Sequence, residues 1–491
     1  MKVVLKVIRE EQRALFIIFG GTGDLAQRKL YPALFNLYKR GYLKKNFAVI
    51  GTARRPWTND YYRDVIKCSI DGMFDSQAQA TDFASHFYYR SHNVNDKQHY
   101  EELKALADKL DEKYDLGGNR IYYLAMSPRF FGTISQYLRS EGLVTERGYG
   151  RVIIEKPFGR DYQSAKELND EISRYFDEDS TFRIDHYLGK EMVQNIMALR
   201  FDNGIWSALW NKEHIKNIQV TLSEALGVEE RGGYYETAGA LRDMVQNHIL
   251  QIVSLLTMDR PKSASEKDIR QAKVETFKAL KVYSPEEVYQ NFVRGQYGEG
   301  EEQVAYREED MIDPDSMTET FVAGKLEVQN KSMAGVPVYI RTGKRMTAKT
   351  TRVDIVFKNE APLFGGGIEP ENVLTINIDP DLGLDLRLNM KKVGQEFATK
   401  KTKIGYRLSK EQVAKIPEAY ERLILNVLQG NAVNFTHWDE LKYSWRFLDA
   451  IRNAWDEQDL PVDFFPNYAC GTMGPQASAE LLEKNGDHWI Y

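Results

Sequence analysis

Six consecutive residues of the segment RIDHYLGKE, Asp185 to Lys190, hold a carboxylate, an imidazole, a phenol and an amine: Asp185, His186, Tyr187 and Lys190. Leu188, Met192, Ile196 and Leu199 recur at helical spacing, so a helix is expected from about Asp185, with the other three in or near its first turn. His186 and Lys190 would then share a face. Free N–H groups and the helix dipole favour an anion at such a terminus, and these side chains add donors suited to a phosphate. Spacing alone serves a plainer account equally well, with Asp185 as N-cap and the other three as solvated surface groups.

A second cluster is the turn GGTGDLA, residues 20–26, between the apolar run LFIIF and a helical stretch. Gly21, Gly23 and Ala26 fit the GxGxxG/A dinucleotide fingerprint, in which small residues permit a tight turn, close approach of a pyrophosphate and helix–strand packing. Gly20, Thr22, Asp24 and Leu25 complete the candidate coenzyme contacts. No Gly-Lys-Ser/Thr follows, which excludes a P-loop, and the later Gly365-Gly366-Gly367 reads as a plain loop. Where an NAD enzyme carries an acid after its second strand, FAVIGTARR has Thr52, Arg54 and Arg55. Arginines suit a ribose 2′-phosphate, so NADP is favoured over NAD. Lys156 and Pro157 end the buried run RVIIEKPFG, where open α/β sheets present their ligands. The lysine either points into a coenzyme crevice or tops the strand and extends into solvent.

His248 falls on the apolar stripe formed by Leu241, Met244, Val245 and Ile252, where a lone histidine is ordinarily a satisfied core residue. Asp243 and Asn247 on the same helix would make a polar pocket around it. Glu224 continues the inward row of Ile218, Val220 and Leu222; it lines a cavity or marks where its strand leaves the core.

Elements must position these groups. From residue 15 to about 184, six apolar runs alternate with helix-like stretches, which reads as βα units around a parallel sheet. Beyond residue 200, IKNIQVTLSE, VPVYIRTG, TRVDIVFK, VLTINID and LDLRLNM read as mainly antiparallel strands, flanked by helical patterns at 236–257, 409–428 and 438–455. The expected fold is an α/β Rossmann-like coenzyme domain over 1–185 plus a larger α+β domain over 186–491 with a big, mainly antiparallel sheet. The acidic segment 297–316 reads as a surface loop.

Net charge is −5 over 491 residues, which supplies no general field for nucleic acid or an anionic membrane. Small-molecule partners are expected. Cys68 and Cys470 sit in no metal-spaced pattern, so neither a metal site nor a disulfide framework is expected. Lys2, Lys6, Arg9 and Glu10 interrupt the N-terminus too often for a signal peptide, and no run approaches a membrane span. A reducing cytoplasm is the expected location.

GGTGDLA with RKLYPAL, EKPFG, RIDHYLGKE, RGGYYE and RDMVQNH together resemble the glucose-6-phosphate dehydrogenase family in order and spacing, over nearly the whole chain. The resemblance implies oxidation of β-D-glucose 6-phosphate at C1 to the 6-phospho-lactone, the first oxidative step of the pentose phosphate pathway. It implies NADP as coenzyme with NAD left open, and a homodimer formed through the large sheet. It makes His248 the base and Asp185 its orienting carboxylate, and carries His186, Tyr187 and Lys190 to the 6-phosphate. Lys156 would bridge coenzyme and sugar, and Glu224 and Asp243 would accept bonds from sugar hydroxyls. Lys344, Lys349 and Lys29 look like substrate-side lysines. Two rivals are another EKP-type sugar or polyol dehydrogenase and a non-catalytic NADP sensor.

Overall fold

The computed structural model describes residues 10–359, 371–395 and 397–491. Lys2, Lys6, Arg9 and the Gly365-Gly366-Gly367 loop lie outside the described residues. The six N-terminal apolar runs form parallel strands: β1 (Ala14–Phe19), β2 (Phe47–Ala53), β3 (Phe87–Ser91), β4 (Arg120–Leu124), β5 (Gly150–Ile154) and β6 (Thr181–Ile184). Every residue of β1 is buried, as a strand covered on both faces requires. The sheet runs in the order β6-β5-β4-β1-β2-β3, with the short strand Phe435–Thr436 antiparallel on β6. Strand order therefore reverses between β1 and β4, the switch point where such sheets open a crevice.

Two helices of this sheet, Asn59–Ser69 and Gln77–Ser85, escape the sequence reading. Asn59–Ser69 buries only Tyr62 and Ile66, too few apolar positions to show a period. Thr58 and Ser76 nevertheless cap the two helices, each accepting a bond from a first-turn N–H.

The second sheet contains β7 (Ile215–Ser223), β8 (Phe292–Gly295), β9 (Phe321–Glu327), β10 (Pro337–Gly343), β11 (Thr350–Phe357), β12 (Val373–Asp379), β13 (Gly383–Lys391) and β14 (Thr399–Arg407). Its order is β14-β13-β12-β11-β7-β10-β9-β8. All neighbours are antiparallel except β7 and β10. Helix Leu250–Thr257 is buried throughout. Helix Trp438–Glu457 buries Leu441, Trp445, Leu448 and Ile451. Inside this unit Lys273 and Glu440 form an ion pair at 2.9 Å, each almost fully buried.

The chain divides into two compact units, one of Met1–Gly159, Gln163–Gly189 and Pro417–Trp438, the other of Arg160–Tyr162, Lys190–Ile416 and Asp439–Tyr491. Near the boundary expected after residue 185 the chain passes between units at Gly189–Lys190, and it crosses again at Ile416–Pro417 and Trp438–Asp439. Pro417–Trp438 joins the first unit because helix Ala419–Gln429 packs on helix Tyr31–Lys39 and Phe435–Thr436 extends the parallel sheet. The segment 297–316 is likewise more than a surface loop: Tyr297 and Tyr306 are fully buried, and Tyr306 donates to Glu236 at 2.7 Å. Among the described residues, no helix is long and apolar enough to cross a membrane.

Candidate active site

In the first unit, the glycine turn is pinned to its neighbours. Gly20 and Gly21 both donate to the Thr52 carbonyl, at 2.9 and 3.0 Å, and the Tyr31 hydroxyl donates to Gly21 O. Gly20 has φ 94°, and a Cβ there would lie 2.2 Å from Ala125 O, so only glycine fits. Asp24 instead turns outward to Arg28 at 2.6 Å, and Leu25 is half-buried at the start of the following turn.

Beside this turn lies a cavity of about 330 Å³, walled by Gly20, Thr22, Thr52, Arg54, Arg55 and His92, with Arg129. Among the described residues its lining has three arginines and no carboxylate. Arg55 lies 5.6 Å over the Trp57 ring, and the Tyr89 hydroxyl bonds its carbonyl. His92 is 2% exposed, and neither ring nitrogen is hydrogen-bonded among the described residues. Burial pushes its imidazole down to about 4, so it stays neutral near pH 7. Its ring packs against Phe19, His99 and Tyr100. Sequence reading passed over it because nothing in SHNVND marks that histidine.

Lys156 stands half-buried beyond β5, and its peptide bond to Pro157 is cis. The preceding Glu155 accepts from Tyr123 at 2.5 Å. Burial lifts the Glu155 carboxyl to about 7, against the opposing pull of Tyr123 and the Lys156 charge. Asp185, 2% exposed, follows β6 and accepts from the Tyr187 N–H at 3.0 Å. The capping bond of the plainer account therefore exists. His186 and Tyr187 place their rings 4.9 Å apart, and His186 lies parallel to Tyr420 at 6.5 Å. Lys29, half-exposed, has Glu418 at 3.9 Å.

The single helix expected from Asp185 is corrected. A one-turn 3-10 helix spans His186–Gly189, and the α-helix Glu191–Phe201 starts afresh with Lys190 as an extended N-cap. At the break Gly189 lies against Ala419, where a Cβ would come within 3.0 Å of that backbone. His186 and Lys190 consequently do not share an α-helical face.

In the second unit, Lys190 Nζ and Lys349 Nζ approach the same oxygen of Asp379, at 3.5 and 3.3 Å. Asp379, at the end of β12, had only its position before Pro380 to signal it. Glu224 and Lys344 pair at 2.8 Å. Asp243 and His248 ride a π-helical segment, Leu241–Ile249, between the helices Gly232–Ala240 and Leu250–Thr257. The 3.6-residue period assumed from the apolar stripe does not hold there. Asp243 and Gln246 are buried beside Met244 and Val245, and His248 is 1% exposed. Insertions of this type cluster at functional sites. Asp243 accepts from the Tyr234 hydroxyl at 3.1 Å; burial first, then the Asp243 charge, holds that phenol well above its usual range.

Residues 17–195 match the family profile "Glucose-6-phosphate dehydrogenase, NAD binding domain", and residues 197–490 match "Glucose-6-phosphate dehydrogenase, C-terminal domain". The glucose-6-phosphate 1-dehydrogenase of Streptococcus pneumoniae serotype 4 is 50% identical over 483 residues, 98% of this chain and 97% of the relative. That of Leuconostoc mesenteroides is also 50% identical, over 98% of this chain and 99% of its own. A solved glucose-6-phosphate dehydrogenase in complex with its substrate glucose 6-phosphate superposes with a TM-score of 0.90 at 34% identity, covering 98% of this chain and 99% of that one.

Proposed function

The chain belongs to the glucose-6-phosphate dehydrogenase family, and from that premise we propose how its residues oxidise glucose 6-phosphate at C1 to the 6-phospho-lactone. A bound nicotinamide coenzyme supplies the hydride acceptor. We assign it to the cavity at the glycine turn and favour NADP, on the single observation that three arginines and no carboxylate line that cavity among the described residues. Arg54 and Arg55 would hold the 2′-phosphate, and Gly20 to Leu25 would carry the turn beneath the pyrophosphate.

For the sugar, the proposed roles follow chemistry and family likeness. As hydride leaves C1, the C1 hydroxyl must lose its proton, which calls for a base near neutrality. His248 takes it, and Asp185 orients the imidazole and stabilises its charged form. His186, Tyr187 and Lys190 bind the 6-phosphate. Lys156 bridges sugar and coenzyme, Glu224 and Asp243 accept from ring hydroxyls, and Lys344, Lys349 and Lys29 supply positive charge on the substrate side. A homodimer through the eight-stranded sheet is in keeping with the exposed Met390, Ile404 and Tyr406 on β13 and β14. We place the enzyme in the cytoplasm, where its free cysteines would stay reduced.

The test mixes purified protein with glucose 6-phosphate or glucose and with NADP or NAD, following reduced nicotinamide by absorbance. Reduction that requires the phosphorylated sugar and is faster with NADP is expected. Equal rates with unphosphorylated glucose would favour a general polyol dehydrogenase, and coenzyme binding without reduction would favour a sensor.

A further inference from the structure

We propose that Glu319 is a positioning residue: its carboxylate caps the π-helical segment Leu241–Ile249 and so determines where Asp243 and His248 stand. The proposal rests on the reading of His248 as the base. It begins at Gly239, whose φ of 64° and ψ of 172° break the helix for one residue. Beyond such a break the next N–H groups have no intrahelical acceptor. Glu319 takes two of them. Its backbone carbonyl accepts from Ala240 N at 2.9 Å, and its Oε1 accepts from Leu241 N at 3.0 Å. Its second oxygen, Oε2, accepts from Arg452 at 2.9 Å.

Each part of this arrangement depends on the others. Glu319 is 1% exposed, and a buried carboxylate without partners would be strongly unfavourable. A Cβ on Gly239 would lie 2.3 Å from Oε1, so the glycine makes room for the cap as well as for the turn. A negative group at a helix start also complements the macrodipole. Glu319 lies two residues before β9, which pairs with β10 in the sheet. Arg452 belongs to the helix Trp438–Glu457 and has Asp456 at 3.2 Å as a further partner. The cap therefore ties the start of the π segment to a strand and a helix. From Leu241 the helical run continues to Thr257. A shift at Leu241 would be passed to Asp243, two residues on, and to His248, seven residues on.

Glu319→Ala, Glu319→Gln and His248→Asn are compared with the wild type by steady-state kinetics, with circular dichroism to establish folding. Glu319→Ala should lower kcat about 100-fold, the cost of misplacing a reacting group by about 1 Å. The coenzyme KM should stay within about threefold. Glu319→Gln keeps an acceptor for the Leu241 N–H and should recover most of the rate. A folded Glu319→Ala enzyme with wild-type kcat, or one that merely melts earlier, overturns the proposal. So does a Glu319→Gln enzyme no faster than the alanine variant. Should Glu319→Ala not fold, Arg452→Gln takes its place, with a fall in kcat of about tenfold expected and an unchanged kcat decisive against the cap. His248→Asn separates the two layers. If it is inactive while Glu319→Ala is normal, only the cap fails; if it is fully active, the base assignment fails, and the cap's catalytic role with it.

Discussion

Lys344 Nζ lies 2.8 Å from Glu224 Oε2 because β7 and β10, a parallel pair, set Ser223 opposite Gly343 and bring the next residues of both strands together. The Glu224 N–H donates to Gly343 O at 3.0 Å, which extends that register. Glu224 is thus held in place by both its backbone and its side chain. Glu224→Gln should raise the KM for glucose 6-phosphate about tenfold, the loss of one charge-assisted hydrogen bond, with kcat changed less than about threefold. Initial-rate kinetics over a range of sugar concentrations check this.

Lys190 shares the Asp379 carboxylate with Lys349, at 3.5 and 3.3 Å. On the proposed account its ammonium serves the phosphate. Lys190→Ala should lower kcat/KM for glucose 6-phosphate about 10- to 100-fold, chiefly through a raised KM. Initial rates over a range of sugar phosphate concentrations measure it.

Arg54 is exposed and lines the cavity beside the glycine turn, assigned above to the coenzyme. Arg54→Ala should raise the KM for NADP about 10- to 100-fold and that for NAD much less, since only NADP carries the 2′-phosphate. Parallel titrations with the two coenzymes measure the difference.

Glu155 gives a pH prediction. Burial raises its carboxyl from 4.5 to about 7. The folded protein therefore keeps a proton that the unfolded chain releases, and the stabilisation present below 4.5 is lost as pH rises through about 7. Glu155→Gln, which stays neutral, should flatten that decline by about 2–3 kcal/mol between the two limits. Denaturant unfolding from pH 5 to 8 detects it.

Much of this was legible in the sequence where one local rule governs. The strands β1 to β6 are short apolar runs buried on both faces, and the turn at Gly21 and Gly23 has few other uses between a strand and a helix. The sequence reading failed where tertiary packing overrides local period. Gly189 against Ala419 splits the helix expected from Asp185, and the π segment after Gly239 changes the spacing around His248. Asp379 and Glu319 were invisible for a different reason: their partners, Lys349 and Arg452, are distant in sequence, so no local pattern could join them. Pro417–Trp438 was missed as part of the coenzyme unit on the same ground.

The most direct test of the mechanism is the turnover of His248→Asn with saturating glucose 6-phosphate and NADP. An asparagine cannot accept the C1 hydroxyl proton, so kcat should fall by about three orders of magnitude or more while the KM for the sugar phosphate stays within a few-fold. A variant that turns over at the wild-type rate would contradict the assignment.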